Sequence, residues 1–137
     1  MIRTNCYGIF MVTNDTLYCS MRDTHQVIKR SPNSNDHQLT GVAGAGCPGY
    51  LPNMLQSPHG IFVTINFDLY VADTNNHRIQ LFRPGQLNGI TMAGKEALGT
   101  QQLYCPTTVL LDADEYIFIM DSKNHRIVGS EIGRAHV

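Results

Sequence analysis

Long apolar runs and an excess of basic charge are both missing from this chain of 137 residues. Apolar runs such as Tyr116–Met120 are far shorter than the roughly 20 residues that a membrane-spanning helix needs. Lysine and arginine together number 10 against 11 aspartates and glutamates, so no basic surplus is available to neutralise a run of phosphates. We therefore expect no membrane span and no nucleic-acid partner.

The sequence also lacks a secretion signal and a metal-binding cysteine pair. Residues 1–6 have neither the apolar core nor the small-residue cleavage site of a secretory signal, so the compartment stays unassigned. The cysteines contain no Cys-x-x-Cys motif, which disfavours a zinc site and a redox pair; they are Cys6, Cys19, Cys47 and Cys105. Small buried thiols are the favoured interpretation, and disulfides, in any of the possible pairings, are the alternative.

The sequence does contain enough apolar material for a packed core. Hydrophobic residues make up 42% of the chain and charged residues 15%, which excludes disordered, collagen-like and coiled-coil classes. The length taken alone suggests one small domain. No window of helical length has a convincing helical period, so we expect an all-β fold.

The chain repeats itself at two offsets. A shift of 52 residues aligns Gly8–Phe10 with Gly60–Phe62. A shift of 48 residues aligns Asp73–Ile79 with Asp121–Ile127, and both segments follow the pattern Asp-Ser/Thr-x-Asn-His-Arg-Ile. These shifts define three units, at about residues 6–44, 55–94 and 103–128.

Each unit is predicted to be a small antiparallel sheet. Short β-branched or aromatic segments separated by Asn, Asp, Gly and Pro are typical of strands. In the second unit they are Ile61–Ile65, Leu69–Ala72, Ile79–Phe82 and Ile90–Ala93. Apolar side chains fall on both faces of the first two strands, so both faces of the sheet should be covered. A four-stranded sheet of this kind, repeated along the chain, indicates the blades of a partial β-propeller.

The second unit resembles an NHL repeat. The resemblance rests on the Pro-x-Gly-Ile motif at residues 58–61, on Leu69–Asp73 and on the Asn-His-Arg triplet at residues 76–78. The third unit has Thr108 in place of the glycine, and the first unit has Met21 in place of the aspartate. NHL propellers close with about six blades. The resemblance therefore implies that residues 6–128 form about half of a ring, which the remaining blades of a longer chain complete.

The turn between the second and third strands has a physical rationale of its own. Asp73 can accept hydrogen bonds from backbone amides of the turn, and Asn75 and Asn76 tolerate the positive φ that a tight hairpin needs. Asp73 and Arg78 then flank the hairpin, close enough for an ion pair worth about 0.2–1 kcal/mol if exposed. The equivalent residues of the third unit are Asp121, Asn124 and Arg126.

Strand direction places these turns on one rim of the propeller, together with the segments that lead from one blade into the next. The resemblance implies that this loop face binds a partner, because NHL propellers typically do so. The predicted binding residues are His59, Thr74, Asn75, His77, Lys123 and His125. We therefore expect an interaction module for a protein partner, as in the NHL domains of tripartite-motif ubiquitin ligases and of receptors.

The alternative is a fragment of a propeller enzyme. The resemblance extends to amidating-lyase and lactonase-type propellers, which hold a metal near the axis, and His59 could approach that axis. The equivalent positions are Tyr7 and Thr107, which do not complete a ring of ligands. No Gly-x-Ser-x-Gly motif or recognisable base beside a cysteine indicates nucleophilic catalysis. We expect no enzyme activity, no metal and no cofactor.

Three segments lie outside this pattern. Gly41–Gly46 lacks the Lys-Ser/Thr of a phosphate loop and is predicted to be a flexible turn between blades. Asp112–Glu115 falls between two predicted strands, where a solvated hairpin turn is favoured over a calcium site. Ile132–Val137 resembles one reading frame of a sequencing adapter, so residues 129–137 are expected to be a non-native or disordered tail.

Overall fold

The computed structural model describes residues 5–31, 39–94 and 102–130. Within them the chain folds into three antiparallel sheets, one for each repeat unit, which we call blades 1, 2 and 3. Blade 1 contains β1 (Cys6–Met11), β2 (Leu17–Met21), β3 (Gln26–Arg30) and β4 (Thr40–Ala43). Blade 2 contains β5 (Ile61–Val63), β6 (Leu69–Asp73), β7 (Arg78–Phe82) and β8 (Ile90–Gly94). Blade 3 contains β9 (Pro106–Leu111), β10 (Ile117–Asp121) and β11 (Arg126–Ser130).

The blades are arranged as in a β-propeller, and the predicted fold class is confirmed. In each blade the strands pair in the order in which they follow along the chain. The first strands of neighbouring blades contact one another, β1 with β5 and β5 with β9. The first strands therefore lie nearest the propeller axis, and later strands lie further out. No helix in the three described stretches is long and apolar enough to cross a membrane.

Three boundary predictions are wrong. The strand predicted at Ile61–Ile65 ends at Val63, so Ile65 lies in the following hairpin. Two other segments are strands where a turn and a tail were expected. Residues 41–43 were expected in a flexible turn, but they belong to β4, which pairs with β3. Residues 129 and 130 were assigned to the tail, but they extend β11 along β10. In both places the hydrogen bonds of a neighbouring strand satisfy the backbone groups, whatever the local composition suggests. The adapter-like residues 132–137 lie outside the described residues.

Apolar side chains between the blades form the core. Tyr70, Ile79 and Leu81 of blade 2 cluster with Val109 and Ile117 of blade 3. The opposite face of blade 2 clusters with blade 1. Strands β6 and β7 are buried along their whole length, which confirms that both faces of this sheet are covered. Full burial of one such side chain is worth about 1.5–3 kcal/mol, so contacts between blades are a main source of stability.

Blade 3 is covered on one face only within the described residues. Along β10, Ile117 and Ile119 are buried against blade 2. The alternate residues Phe118 and Met120 are 41% and 47% exposed. Their counterparts in blade 2 are buried because blade 3 packs over them. The alternation in β10 is therefore that of a blade with a single neighbour.

The cysteines correct the expectation of buried thiols. Cys6 and Cys19 form a disulfide within blade 1, with their Cα atoms 5.4 Å apart. Cys47 is a free, exposed thiol, and Cys105 is free and half-buried. The sequence spacing does not reveal the bridge, because it is the antiparallel pairing of β1 with β2 that brings the two side chains together.

The inner strands of neighbouring blades approach closely at a glycine. The Gly60 N–H donates to Thr107 O across the junction between blades 2 and 3, with an N to O distance of 2.9 Å. A Cβ atom at Gly60 would lie 2.6 Å from that same oxygen. The glycine of the Pro-x-Gly-Ile motif is thus needed because a backbone passes directly beside it.

We expect Gly60→Ala to lower the free energy of unfolding by about 1–3 kcal/mol, because the added methyl group forces the inner strands apart. Gly41→Ala is the matched control, since a Cβ at Gly41 meets nothing within 4 Å. It should change stability by no more than about 0.5 kcal/mol. Urea unfolding followed by circular dichroism measures both variants, and equal effects would contradict the close-approach explanation.

Candidate functional site

The turns between the second and third strands of blades 2 and 3 share one backbone geometry. In blade 2 a 3₁₀ turn spans Thr74–Asn76 and ends at His77, whose φ is +55°. In blade 3 the turn Ser122–Asn124 ends at His125, with a φ of +52°. The positive φ was predicted at Asn75 and Asn76 but belongs to the histidine that follows them. The asparagines take 3₁₀ geometry instead, and Asn76 uses its amide side chain for hydrogen bonds.

The carboxylate of Asp73 is the centre of this turn. Its Oδ2 accepts hydrogen bonds from Asn76 Nδ2 at 2.9 Å and from Arg78 Nε at 2.8 Å. Its Oδ1 accepts the backbone N–H of Gln56 at 2.7 Å. The amide that binds Asp73 therefore comes from the segment that leads into blade 2, and not from the turn. The predicted ion pair between Asp73 and Arg78 is present, and both residues are buried, so the energy given for an exposed pair does not apply.

Arg78 has a second role that the sequence did not indicate. Its guanidinium donates to the backbone carbonyls of Tyr50, Leu51 and Met54, at 3.0, 3.2 and 2.9 Å. Asn76 Nδ2 also donates to Gly49 O at 2.7 Å. The turn therefore holds the connection from blade 1 to blade 2 against the sheet.

Blade 3 repeats the arrangement in a more exposed setting. Asp121 accepts hydrogen bonds from Tyr104 N at 2.6 Å, from Asn124 Nδ2 at 2.8 Å and from Arg126 Nε at 2.9 Å. The guanidinium of Arg126 donates to Gln102 O at 2.7 Å. The Arg126 side chain is 40% exposed, whereas that of Arg78 is 8% exposed.

The difference in surroundings gives the two aspartates opposite pKa shifts. Burial raises the pKa of Asp73, although the hydrogen bonds from Gln56, Asn76 and Arg78 act in the other direction. At Asp121 burial also acts to raise the pKa, but the hydrogen bonds from Tyr104, Asn124 and Arg126 outweigh it and hold the pKa below its usual value. The charged form is thus favoured at the blade that has one covered face.

Histidines at the ends of these turns connect consecutive blades. Nδ1 of His25 accepts the backbone N–H of Ser57 at 3.0 Å, and Nδ1 of His77 accepts that of Cys105 at 3.0 Å. An Nδ1 that accepts carries no proton, so the neutral ring has its proton on Nε2. His77, predicted to face a partner, is half-buried and bonded to the next blade, because the incoming segment crosses the turn at this point.

Thr74 and His59, two other predicted binding residues, also lie at the junction between blades. Thr74 is buried, and its hydroxyl donates to Pro106 O of blade 3 at 2.7 Å. The same hydroxyl lies 2.8 Å from Nδ1 of His59. The His59 ring packs edge-on against Tyr7, with ring centroids 5.4 Å apart. Burial removes Thr74 from the surface that a partner could contact.

The remaining predicted residues, Asn75, Lys123 and His125, are exposed. Asn75 and Lys123 border a groove of about 540 Å³ between blades 2 and 3, which we call the turn-face groove. The Nζ atom of Lys123 lies 5.9 Å from the centroid of the exposed Tyr104 ring, in cation–π geometry. The groove is lined by residues 75–77, 102–105, 123 and 124. Tyr104 was not predicted from the sequence, because its position between a turn and a strand carries no recognisable pattern.

The geometry does not assemble a metal site from the described residues. In the stretches 5–31, 39–94 and 102–130, no three His, Cys, Asp or Glu side chains are grouped so that they could hold a metal ion. His59 faces Thr74 and Tyr7, which do not supply further strong ligands. The carboxylate Oδ1 of Asp112 accepts the N–H groups of Asp114 and Tyr116, each at 2.9 Å, and so stabilises a hairpin turn.

We expect His77→Ala to cost about 1 kcal/mol more unfolding free energy than His125→Ala. Both changes place alanine at a positive φ, so that strain cancels, and only His77 accepts a hydrogen bond from a described neighbouring blade. Denaturant unfolding gives the two free energies. Faster hydrogen exchange of the Cys105 amide in His77→Ala would locate the loss, and identical costs for both variants would rule out the interblade bond as a source of stability.

The Asp121 carboxylate should make stability depend on pH in a predictable sense. Its folded pKa lies below the ordinary value of 3.8, so its ionised form stabilises the fold above that value. The advantage of the wild-type chain over Asp121→Asn should be about 1–2 kcal/mol near neutral pH. It should disappear as the pH falls below 3.8 and through the folded pKa.

Urea unfolding at several pH values measures this difference. Asp114→Asn serves as the control, because Asp114 is an exposed hairpin residue. A stability difference for Asp121→Asn that stays constant down to strongly acidic pH would refute the assigned role of the ionised carboxylate.

We compared the chain with protein-family models, curated proteins and solved structures. Residues 55–82 match the family model described as NHL repeat. The match covers the segment that leads into blade 2, strands β5 to β7 and the turn that contains Asp73 and His77. No curated protein matches the chain.

Several solved structures are similar to the chain in fold. An auxiliary nutrient binding protein from Bacteroides ovatus has 22% identity and a TM-score of 0.73 over 90% of this chain and 37% of that one. One from Bacteroides thetaiotaomicron has 20% identity and a TM-score of 0.68 over 90% and 37%. Selenomethionine-substituted virginiamycin B lyase from Staphylococcus aureus has 11% identity and a TM-score of 0.60 over 93% and 41%.

At these identities the likeness concerns the fold, and the chain spans about two fifths of the length of each of those proteins. The family match and the three antiparallel sheets agree with each other. Residues 55–82 thus match the NHL repeat, and the three antiparallel sheets fold as part of a β-propeller.

Proposed function

We propose that the chain is an interaction module that binds a protein partner through the turn-face groove and that it has no catalytic role. The supporting observation is that some side chains on this face hold the blades together, whereas others are exposed to solvent. Thr74 and His77 are bonded to the next blade. Asn75, Tyr104 and Lys123 are exposed around the groove. Asn75 donates one side-chain hydrogen bond to Ser57 Oγ at 3.2 Å, and its amide oxygen and second N–H can still contact a partner, as can Tyr104 and Lys123.

The chemistry of the groove suits a polypeptide. The amide side chains of Asn75 and Gln102 offer both donors and acceptors, which match the N–H and C=O groups of a peptide backbone. Lys123 adds a positive charge, and Tyr104 adds a flat apolar surface with a polar tip. Tyrosine is among the residues enriched at protein interfaces, where such mixed surfaces are common.

The similar structures leave both binding and catalysis open, because they include nutrient binding proteins and a lyase. A shared propeller fold does not decide between these activities, which depend on the residues of the site. His77 and Cys105 both line the groove, but the hydrogen bond between them joins the histidine ring to the backbone N–H of Cys105 and not to its thiol. We infer that recognition, without a metal or other cofactor, is the function of this face.

Selection of displayed peptides on the 137-residue chain tests the proposal. We expect the enriched peptides to lose about 5- to 10-fold in affinity for Asn75→Ala and for Lys123→Ala, as is usual for central interface residues. Gln86→Ala is the control, because Gln86 is exposed and lies outside the groove. Its affinity should equal that of the wild-type chain.

The enzyme alternative makes a different prediction for the same protein. Elemental analysis that found stoichiometric zinc or calcium, together with peptides insensitive to Asn75→Ala and Lys123→Ala, would overturn the binding proposal in favour of a metal-dependent propeller enzyme. Metal-free protein whose selected peptides respond to both changes supports the proposal.

A further inference from the structure

A second groove lies on the opposite face of the blades. Hairpins that join the first and second strands of each blade form this face, at residues 12–16, 64–68 and 112–116. The groove between them has a volume of about 590 Å³, and its floor includes Phe10, Phe62 and Leu111. The Phe10 and Phe62 rings pack with centroids 4.9 Å apart. We call it the hairpin-face groove.

The hairpin of blade 2 is unusually apolar for a solvent-facing tip. Ile65 is 90% exposed and Phe67 is 43% exposed, and both line the groove. At the positions equivalent to Ile65, blade 1 has Thr13 and blade 3 has Ala113. At the positions equivalent to Phe67, the other blades have Asp15 and Glu115, with nearly the same backbone φ of +64° to +65°. The fold therefore does not require large apolar side chains at this tip.

Phe67 also has a backbone conformation that does not suit its side chain. Asp15 tolerates the left-handed region, whereas Phe67, like Glu115 at the same φ of +65°, is not suited to it, and a bulky aromatic residue is rarely found there. A non-glycine residue in that region costs of order 1 kcal/mol, and such strain concentrates at binding sites and clamps. Exposure and strain occur together at one residue beside a concave apolar surface. Both observations favour a bound apolar group as the reason for Phe67.

Charge on this face limits the kind of partner. The three hairpin tips carry Asp15, Asp68, Asp112, Asp114 and Glu115 and have no Lys or Arg at residues 12–16, 64–68 or 112–116. Arg83 pairs with Asp68 at 3.3 Å, and Asp112 stabilises its own turn. Glu115 is exposed at the groove itself. Its charge reaches into the sheet, since the pKa of Tyr70 is raised first by burial and then by Asp68 and Glu115.

We propose that the hairpin-face groove binds an extended peptide segment that places a large apolar side chain against Phe62 and Phe67 and a neighbouring Lys or Arg beside Glu115. The volume falls within the range of about 300–1,000 Å³ that is typical of ligand sites. An apolar floor with an acidic margin favours an apolar, cationic segment over an acidic one. This site is separate from the turn-face groove and does not depend on the function proposed for it.

A tryptophan peptide tests the proposal directly. The protein contains no tryptophan, so the fluorescence of acetyl-Lys-Trp-Leu-Lys-amide reports on the peptide alone. We expect a blue shift and saturable binding to the 137-residue chain. Acetyl-Glu-Trp-Leu-Glu-amide should bind at least about tenfold more weakly because its charges are repelled by Glu115 and its neighbours.

Matched variants separate the apolar and the electrostatic parts. A chain with Ile65→Thr and Phe67→Asn carries the residue of blade 1 at the first position and one suited to positive φ at the second, so it should fold at least as well as the wild type. We expect it and Glu115→Gln each to bind the lysine peptide about 5- to 10-fold more weakly. Asp23→Asn should bind it unchanged, because Asp23 is an exposed acidic residue that lines neither groove.

Three outcomes would overturn the proposal. The first is that the lysine peptide shows no saturable binding, and the second is that it binds no better than the glutamate peptide. The third is that the apolar face serves a second copy of the chain. Sedimentation would show this as a concentration-dependent oligomer that the Ile65→Thr and Phe67→Asn chain does not form.

Discussion

The carboxylate of Asp73 joins the hairpin of blade 2 to the segment that leads into this blade. It accepts hydrogen bonds from the segment leading into blade 2, from the turn itself and from Arg78 at the start of the returning strand. Arg78 then reaches three carbonyls of the connection between blades. Because the pair is buried, loss of either partner leaves a charge without compensation in a poorly solvated place. The buried pair therefore holds the connection between blades 1 and 2 against the sheet.

Hydrogen bonds between blades and apolar packing have different structural roles in this fold. Packing between sheets buries most of the apolar side chains. It does not by itself fix the offset, that is, how far one sheet is shifted along the next. Hydrogen bonds at the turn face supply that offset, because each has a narrow range of distance and direction. On the opposite face, the hairpin of blade 2 differs in composition from those of its neighbours.

Most of the architecture could be predicted because the sequence repeats in register. The recurrence of Asp73–Ile79 at Asp121–Ile127 predicted equivalent hairpins, and apolar residues on both faces predicted covered sheets. Burial of the Asp73 and Arg78 pair could not be predicted, since it arises from a segment 17 or more residues earlier. The disulfide between Cys6 and Cys19 depends on strand pairing, which their spacing does not reveal.

The candidate site was predicted less well than the fold. Thr74 and His77 are in turns and so were expected to face solvent, but the next blade crosses over them. Repeat alignment identifies such residues only if the connection between units is considered with the units. Ile65 and Phe67 did have a signal in the alignment, namely large apolar residues where the other units have Thr, Asp, Ala and Glu. Periodicity searches emphasise what recurs and pass over such differences.

Side-chain hydrogen bonds between these blades are made to backbone atoms of the following blade. His25 and His77 bind the N–H groups of Ser57 and Cys105, and Thr74 binds the carbonyl of Pro106. A backbone group is the same whatever side chain is attached to it, and serine and cysteine already occupy one equivalent position. A blade can thus be followed by a blade of quite different sequence, provided that the backbone conformation of the connection is retained. This tolerance makes each unit suitable for duplication, after which the copies can diverge while the ring keeps its geometry.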